Sequence, residues 1–146
     1  MRLPTTILYG TRLMLDLALH YGEDPIPLRH IAQRQEISEK YLWSVMVRLK
    51  NIGLIRSTRG SHGGLALGRP PSEIDMREVI HALEGPLCLV ECVDDPSSCK
   101  RSETCAPRDL WSRLSDDLNE VLESVTLSDM AENQRSKGVP NPYYKI

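Results

Sequence analysis

Along residues 7 to 21 the apolar positions Ile7, Leu8, Met14, Leu15, Ala18 and Leu19 recur with helical spacing, and Gly22-Glu23-Asp24-Pro25 ends the run. A first, mostly buried helix is expected there. After Pro27 a short second helix follows over 28–34, and Gln35-Glu36-Ile37 makes a tight turn. Ser38 then stands as an N-cap, with Glu39 in the first turn, where a negative charge suits the helix dipole. In the third helix, read as EKYLWSVMVRLKN over 39–51, Leu42, Val45, Met46 and Leu49 share one face and belong to the core. Gly53 is placed to stop it. Helix, three-residue turn, helix is the pattern of a helix-turn-helix, with the third helix as the reading element.

Two short apolar segments, 54–58 and 65–68, flank Arg59-Gly60-Ser61-His62-Gly63-Gly64. A glycine-rich turn between two such segments predicts a β-hairpin. Behind a helix-turn-helix that hairpin is a wing, whose glycines permit close approach to a phosphate chain and whose Arg59 can enter a minor groove. Pro70-Pro71-Ser72 is a connector. A fourth helix is expected over 74–83, packing through Ile74, Val79, Ile80 and Leu83, until Glu84-Gly85-Pro86 stops it. Beyond Pro107, Leu110, Leu114, Leu118, Val121 and Val125 form one apolar stripe, widened by Trp111 and Leu122. The stripe spans nearly twenty residues, roughly 28 Å at 1.5 Å per residue. It exceeds what so small a head can cover, so pairing with a second copy is expected. Thr126 and Asp129 then open a short last helix reaching about 134.

The pattern predicts a mainly α chain: a winged helix-turn-helix with a two-stranded wing and a long C-terminal dimerisation helix. The expected organisation is a DNA-binding head over 1–85, a cysteine-rich loop over 86–106, dimerisation helices over 107–134 and a flexible tail over 135–146. The chain has 146 residues, enough for a real core, but no Phe, so Leu, Ile, Val and Met must fill it. Charge is divided unevenly. Residues 1–70 carry ten Lys and Arg against five Asp and Glu, whereas 71–146 carry eight against fifteen. A basic first half suits a polyanion such as double-stranded DNA.

Arg12 and Asp16 interrupt the apolar stretch near the N-terminus, and no small-residue cleavage site follows it, so neither a signal peptide nor a membrane span is expected. A cytoplasmic setting keeps thiols reduced, which makes clustered cysteines metal or cluster ligands before disulfides. All four cysteines, Cys88, Cys92, Cys99 and Cys105, lie in the polar, turn-rich run CLVECVDDPSSCKRSETC, with six and then five residues between the last three. His20, His30 and His81 have no second ligand beside them at metal-binding spacing, and no Ser-His-Asp arrangement, G-x-x-x-x-G-K or H-E-x-x-H occurs. An enzyme is not expected.

The segments MLDLAL, ISEKYLWSVMVRLKNIGLIRSTRGSHGGLALG, VIHALEG and LWSRLSDDLNEVLESVTLSDM, together with the three spaced cysteines, resemble the Rrf-type winged-helix regulators over residues 1 to about 134. Within these, the likeness is to the iron-sulfur regulators of the IscR, NsrR and RirA type. The resemblance implies a homodimer that binds promoter DNA and holds an iron-sulfur cluster through Cys92, Cys99 and Cys105. Occupancy would answer to iron, oxidants or nitric oxide, and thiolates are the soft ligands such clusters take. The type, two-iron or four-iron, stays open, because the fourth ligand departs from the pattern. The histidine of IscR-like proteins is replaced by Arg108, which cannot ligate. The N-terminal carboxylate of NsrR-like proteins falls near Leu8. Cys88, a carboxylate such as Asp109, or a small molecule remain. The resemblance also implies DNA contacts from Ser38, Lys40, Tyr41, Trp43, Ser44 and Arg48 on the third helix and from Arg59, Ser61 and His62 in the wing. Trp43 stands where IscR-like proteins have glutamate, so base preference should differ. The competing expectation is a cluster-free winged-helix regulator whose cysteines form a thiol redox switch, or which answers to a metabolite or a partner protein.

Overall fold

Leu13, Ile31, Leu42, Val45, Leu49 and Val79 expose no surface, and they come from four helices that close on one another. These are α1 (Thr5–Leu19), α2 (Leu28–Gln35), α3 (Glu39–Asn51) and α4 (Met76–Glu84). The computed structural model describes residues 2–137. The part of the expected tail beyond Lys137 lies outside the described residues.

The turn from α2 into α3 is set by Glu36, which takes a left-handed conformation at φ 55°. The amide of Ile37 donates back to Ala32 O at 3.0 Å, and Ser38 Oγ caps α3 by accepting from the amide of Tyr41 at 3.1 Å. A buried carboxylate fixes α1 against this unit. Asp16 accepts from Arg34 Nη2 at 2.5 Å, from Arg34 Nε at 3.1 Å and from Gln35 Nε2 at 2.9 Å. From the same helix Arg12 donates to Gln35 Oε1 at 2.9 Å and to Gln35 O at 2.7 Å.

Strands β1 (Ile55–Thr58) and β2 (Gly64–Leu67) pair antiparallel with Ile55 opposite Leu67 and Thr58 opposite Gly64. The wing is anchored at its base, where Ile26 and Leu65 exchange backbone hydrogen bonds of 2.9 and 2.7 Å. Gly64 makes this approach possible, since a Cβ there would lie 2.4 Å from the carbonyl carbon of Ile26. Its glycine character therefore has an internal cause, apart from any approach to phosphate.

Asp75 and Glu78 form a reciprocal capping box at the start of α4. Ile74, expected inside that helix, instead lies in extended backbone just before it, behind a 3-10 turn over Pro71–Glu73. The long helix α6 (Ala106–Ser124) ends one residue short of Val125, which is extended and so leaves the predicted stripe. Val125 O accepts from the amide of Met76, and Ile74 O from the amide of Leu127, both at 2.9 Å. These bonds swing the last helix, α7 (Leu127–Ser136), back to the head. Leu127 and Ala131 join the same buried cluster as residues of α1 and α3, so α7 is a core element of the head.

The polar run between α4 and α6 is ordered, where an irregular loop was expected. It contains α5 (Glu91–Asp94) and 3-10 turns over Pro96–Ser98 and Ser102–Thr104. Its serines and aspartates bond to nearby backbone, as short polar side chains do in turns. Asp95 Oδ1 accepts from the Ser97 amide at 3.1 Å and hydroxyl at 2.6 Å. The buried Ser102 hydroxyl contacts Pro96 O at 2.7 Å and Cys99 O at 2.9 Å. Among the described residues no helix is long and apolar enough to cross a membrane.

Candidate nucleic-acid interface and cysteine loop

On α3 the four inward residues are Leu42, Val45, Met46 and Leu49, all buried. Helical geometry therefore turns Lys40, Trp43 and Ser44 to solvent, and all three are exposed. Trp43 is 59% exposed, so its indole is presented outward, with one N–H donor and a large apolar face. Ser38 is exposed at the helix start while its oxygen caps the helix, and Ser44 Oγ donates to Tyr41 O at 2.7 Å. Tyr41 is half-buried: its ring meets Tyr9 edge-on at 5.5 Å, and its hydroxyl lies 3.1 Å from Thr5 Oγ1. Tyr41 thus joins the reading helix to the start of α1, a link that spacing within one helix does not reveal.

Arg48 lies apart from the others. Its Nη1 donates to Leu83 O at 2.7 Å and sits 3.7 Å from Glu84 Oε1, which holds the guanidinium at the C-terminal end of α4, where a cation meets the helix dipole favourably. In the wing, Arg59, Ser61 and His62 are all exposed. Gly60 at the tip has φ 105° with open space about it, and a Cβ at Gly63 would lie 2.3 Å from Thr58 O, so the turn itself calls for both glycines.

All four cysteines are free thiols: Cys88 and Cys99 are exposed, Cys92 and Cys105 half-buried. Cys92 lies on α5, Cys99 closes the first 3-10 turn and Cys105 stands at the N-cap of α6. Cys88 Sγ donates to Val90 O at 2.8 Å. Arg108 Nε donates to Cys92 O at 3.0 Å, joining α5 to the first turn of α6. The donor set, three thiols on one short connection, fits an iron-sulfur cluster in its chemistry. Among the described residues no three His, Cys, Asp or Glu side chains are grouped closely enough to hold a metal ion. A single ion held by all three thiols would need them closer together than they stand here.

The long helix presents two unlike faces. Leu110, Leu114 and Val121 are exposed, Val121 to 60%, while Ser115 and Asn119 are turned inward among the residues that face α4. The outward apolar face is the one the stripe predicts. The inward polar face has no counterpart in the apolar spacing read from the sequence.

The chain is similar to known proteins over nearly its whole described length. A family described as Rrf2, iron-dependent transcriptional regulator, matches residues 3–133. The HTH-type transcriptional regulator CymR of Bacillus subtilis is 41% identical over 131 residues, covering 90% of each chain. Its solved structure, described as that of the global cysteine regulator, aligns with TM-score 0.78 over 91% of this chain and 98% of that one. The HTH-type transcriptional regulator IscR of Photorhabdus laumondii is 39% identical over 134 residues, 92% of this chain and 81% of the relative. The solved structure of T. potens IscR aligns with TM-score 0.80 at 33% identity, over 98% of this chain and 95% of that one.

Proposed function

This chain belongs to the Rrf2 family of DNA-binding transcription regulators, and from that premise we propose that it senses an iron-sulfur cluster through Cys92, Cys99 and Cys105. The observation that carries the reading is the position of the three free thiols: they occupy the connection between the reading head and α6, and reach the N-cap of α6 at Cys105. When bound, such a cluster supplies reactivity toward oxidants or nitric oxide and dependence on iron supply. The protein's own residues transmit the result. Arg108 ties α5 to α6, and Met76 and Leu127 tie the ends of α4 and α7 together, so a repacked connection reaches the head through its core. The regulator acts in the cytoplasm as a homodimer paired through the exposed face of α6. It contacts promoter DNA through Ser38, Lys40, Tyr41, Trp43 and Ser44 and through Arg59, Ser61 and His62, while Arg48 supports the reading helix from behind.

A second reading has an observation of its own. The connection carries hydrogen bonds of its own, from Ser102 to Pro96 O and Cys99 O and from Arg108 to Cys92 O, and a similar protein is described as a cysteine regulator. On that reading the thiols act as a redox switch without iron. Purification without oxygen, after confirmed cluster supply, with iron and sulfide counts and a visible spectrum, separates the two. Brown protein carrying both elements supports the cluster; colourless, iron-free protein overturns it.

A further inference from the structure

Four buried side-chain atoms among the described residues have no hydrogen-bond partner: Arg77 Nε, His81 Nε2, Ser115 Oγ and Asn119 Oδ1. All four residues line a single cavity of about 230 Å³ between α4 and α6, walled on its third side by Pro86, Leu87 and Cys88 of the cysteine loop and by Val93 and Asp94 of α5. A buried polar group left unpaired carries its full desolvation penalty, so such groups are few in folded interiors. The four belong to residues, two from each of two helices, that border one space.

The bonds these residues do make determine what remains. Asn119 Nδ2 donates to Ser115 O at 2.9 Å, which leaves Oδ1 as an acceptor in need of a donor. Arg77 donates through Nη1 to Glu123, so its charge is balanced and its Nε–H is left over as a donor. Ser115, only 5% exposed, offers a hydroxyl that can donate or accept, and His81 Nε2 can do either according to its tautomer. Asp94 and Asp116 add two carboxylates to the wall. The matching molecule presents an acceptor to Arg77 and Ser115 and a cationic donor to Asn119 and the carboxylates. The volume is below the roughly 300–1,000 Å³ of pockets for drug-sized ligands, which suits a molecule of amino-acid size.

We propose that this cavity binds a small zwitterion bearing one carboxylate and one ammonium group, of the chemical class of the free amino acids, as an input distinct from a cluster on Cys92, Cys99 and Cys105. Its walls come from α4 of the head, α5 of the cysteine connection and α6 of the long helix, so occupancy fixes these three against one another. The coupling of that event to operator affinity rests on the DNA-binding reading; the binding itself does not.

The experiment is a thermal-shift and calorimetric titration of the full-length, thiol-reduced protein with the proteinogenic amino acids one at a time, and with acetate and methylammonium as half-ligands. At about a hundredfold excess over Kd, at least one amino acid should raise Tm by roughly 5–10 °C, while neither half-ligand does so. Ser115→Ala and Asn119→Leu should each weaken that binding about tenfold or more, the loss expected when a buried polar partner is removed. No response to any amino acid in the wild type, or a response undiminished in both variants, overturns the proposal. Should a variant not fold, backbone amide shifts in the titrated wild type decide: changes centred on 77, 81, 115 and 119 support it, and changes elsewhere overturn it. Iron content is read separately, so iron-free protein that binds an amino acid removes the cluster reading and leaves this one standing.

Discussion

Arg108 Nε donates across 3.0 Å to the carbonyl oxygen of Cys92, sixteen residues earlier in the chain. The arginine, which cannot ligate a metal, supplies a brace between α5 and α6. A hydrogen bond to a charged group contributes about 1.5–3 kcal/mol when buried and less where it is partly exposed, as here. Arg108→Ala should therefore speed amide exchange over residues 91–95 roughly tenfold, about 1.4 kcal/mol of local opening, and leave protection of α3 unchanged. Equal exchange in both proteins would mean that α5 holds itself.

Arg59 in the wing and Trp43 on α3 are both exposed, and the proposed function gives them different contacts on a duplex. Arg59→Ala should weaken operator binding and reduce the slope of log affinity against log salt by about 1, the signature of one lost phosphate or groove contact. Trp43→Ala should leave that slope alone and lower discrimination between bases, by about 1–3 kcal/mol at the contacted step. Competition binding over a salt series, with single-base operator variants, reads both. A salt slope unaltered by Arg59→Ala would take the wing arginine out of the interface.

Much of the head was legible in the sequence because its signals are local. A cap at Ser38, inward positions at Leu42, Val45, Met46 and Leu49 and a stop near Gly53 all act within one helix, and α3 has the expected bounds. In α1 the run is apolar on too many sides for spacing to rank its residues. Leu13 and Leu17 prove buried, while Leu8, expected inside, is 55% exposed. Long-range contacts left no local trace. The return of α7 to the head depends on backbone bonds from Val125 and Ile74, and the cavity between α4 and α6 brings together polar residues nearly forty positions apart. α5 was hidden because a four-residue helix stabilised by tertiary contacts has no periodicity to display.

Asp16 is fully buried and bonded by Arg34 and Gln35. Removing one member of a buried ion pair leaves the other charge uncompensated, at a cost of about 3–5 kcal/mol. Arg34 retains some solvent contact, 16% of its side chain, which places Asp16→Asn near the lower end, about 3 kcal/mol. Urea unfolding at neutral pH should show that loss with an unchanged m-value. A cost below about 1 kcal/mol would mean that α1 and α2 are held by their apolar contacts alone.

Leu114 and Val121 stand on the outward face of α6, 39% and 60% exposed among the described residues. The inward face of that helix, which carries Ser115 and Asn119, already packs on α4, so Leu114 and Val121 are left on the outside. A second copy meeting the same face satisfies both, and an interface of that kind is self-complementary. Leu114→Asp with Val121→Asp should therefore yield monomers by sedimentation velocity while the fold of the head survives, since neither residue belongs to its core. Operator affinity should fall with the dimer, because two reading helices set about 34 Å apart, one helical turn of DNA or a multiple of it, bind half-sites that one helix cannot hold. A variant that still sediments as a dimer would assign pairing to another surface.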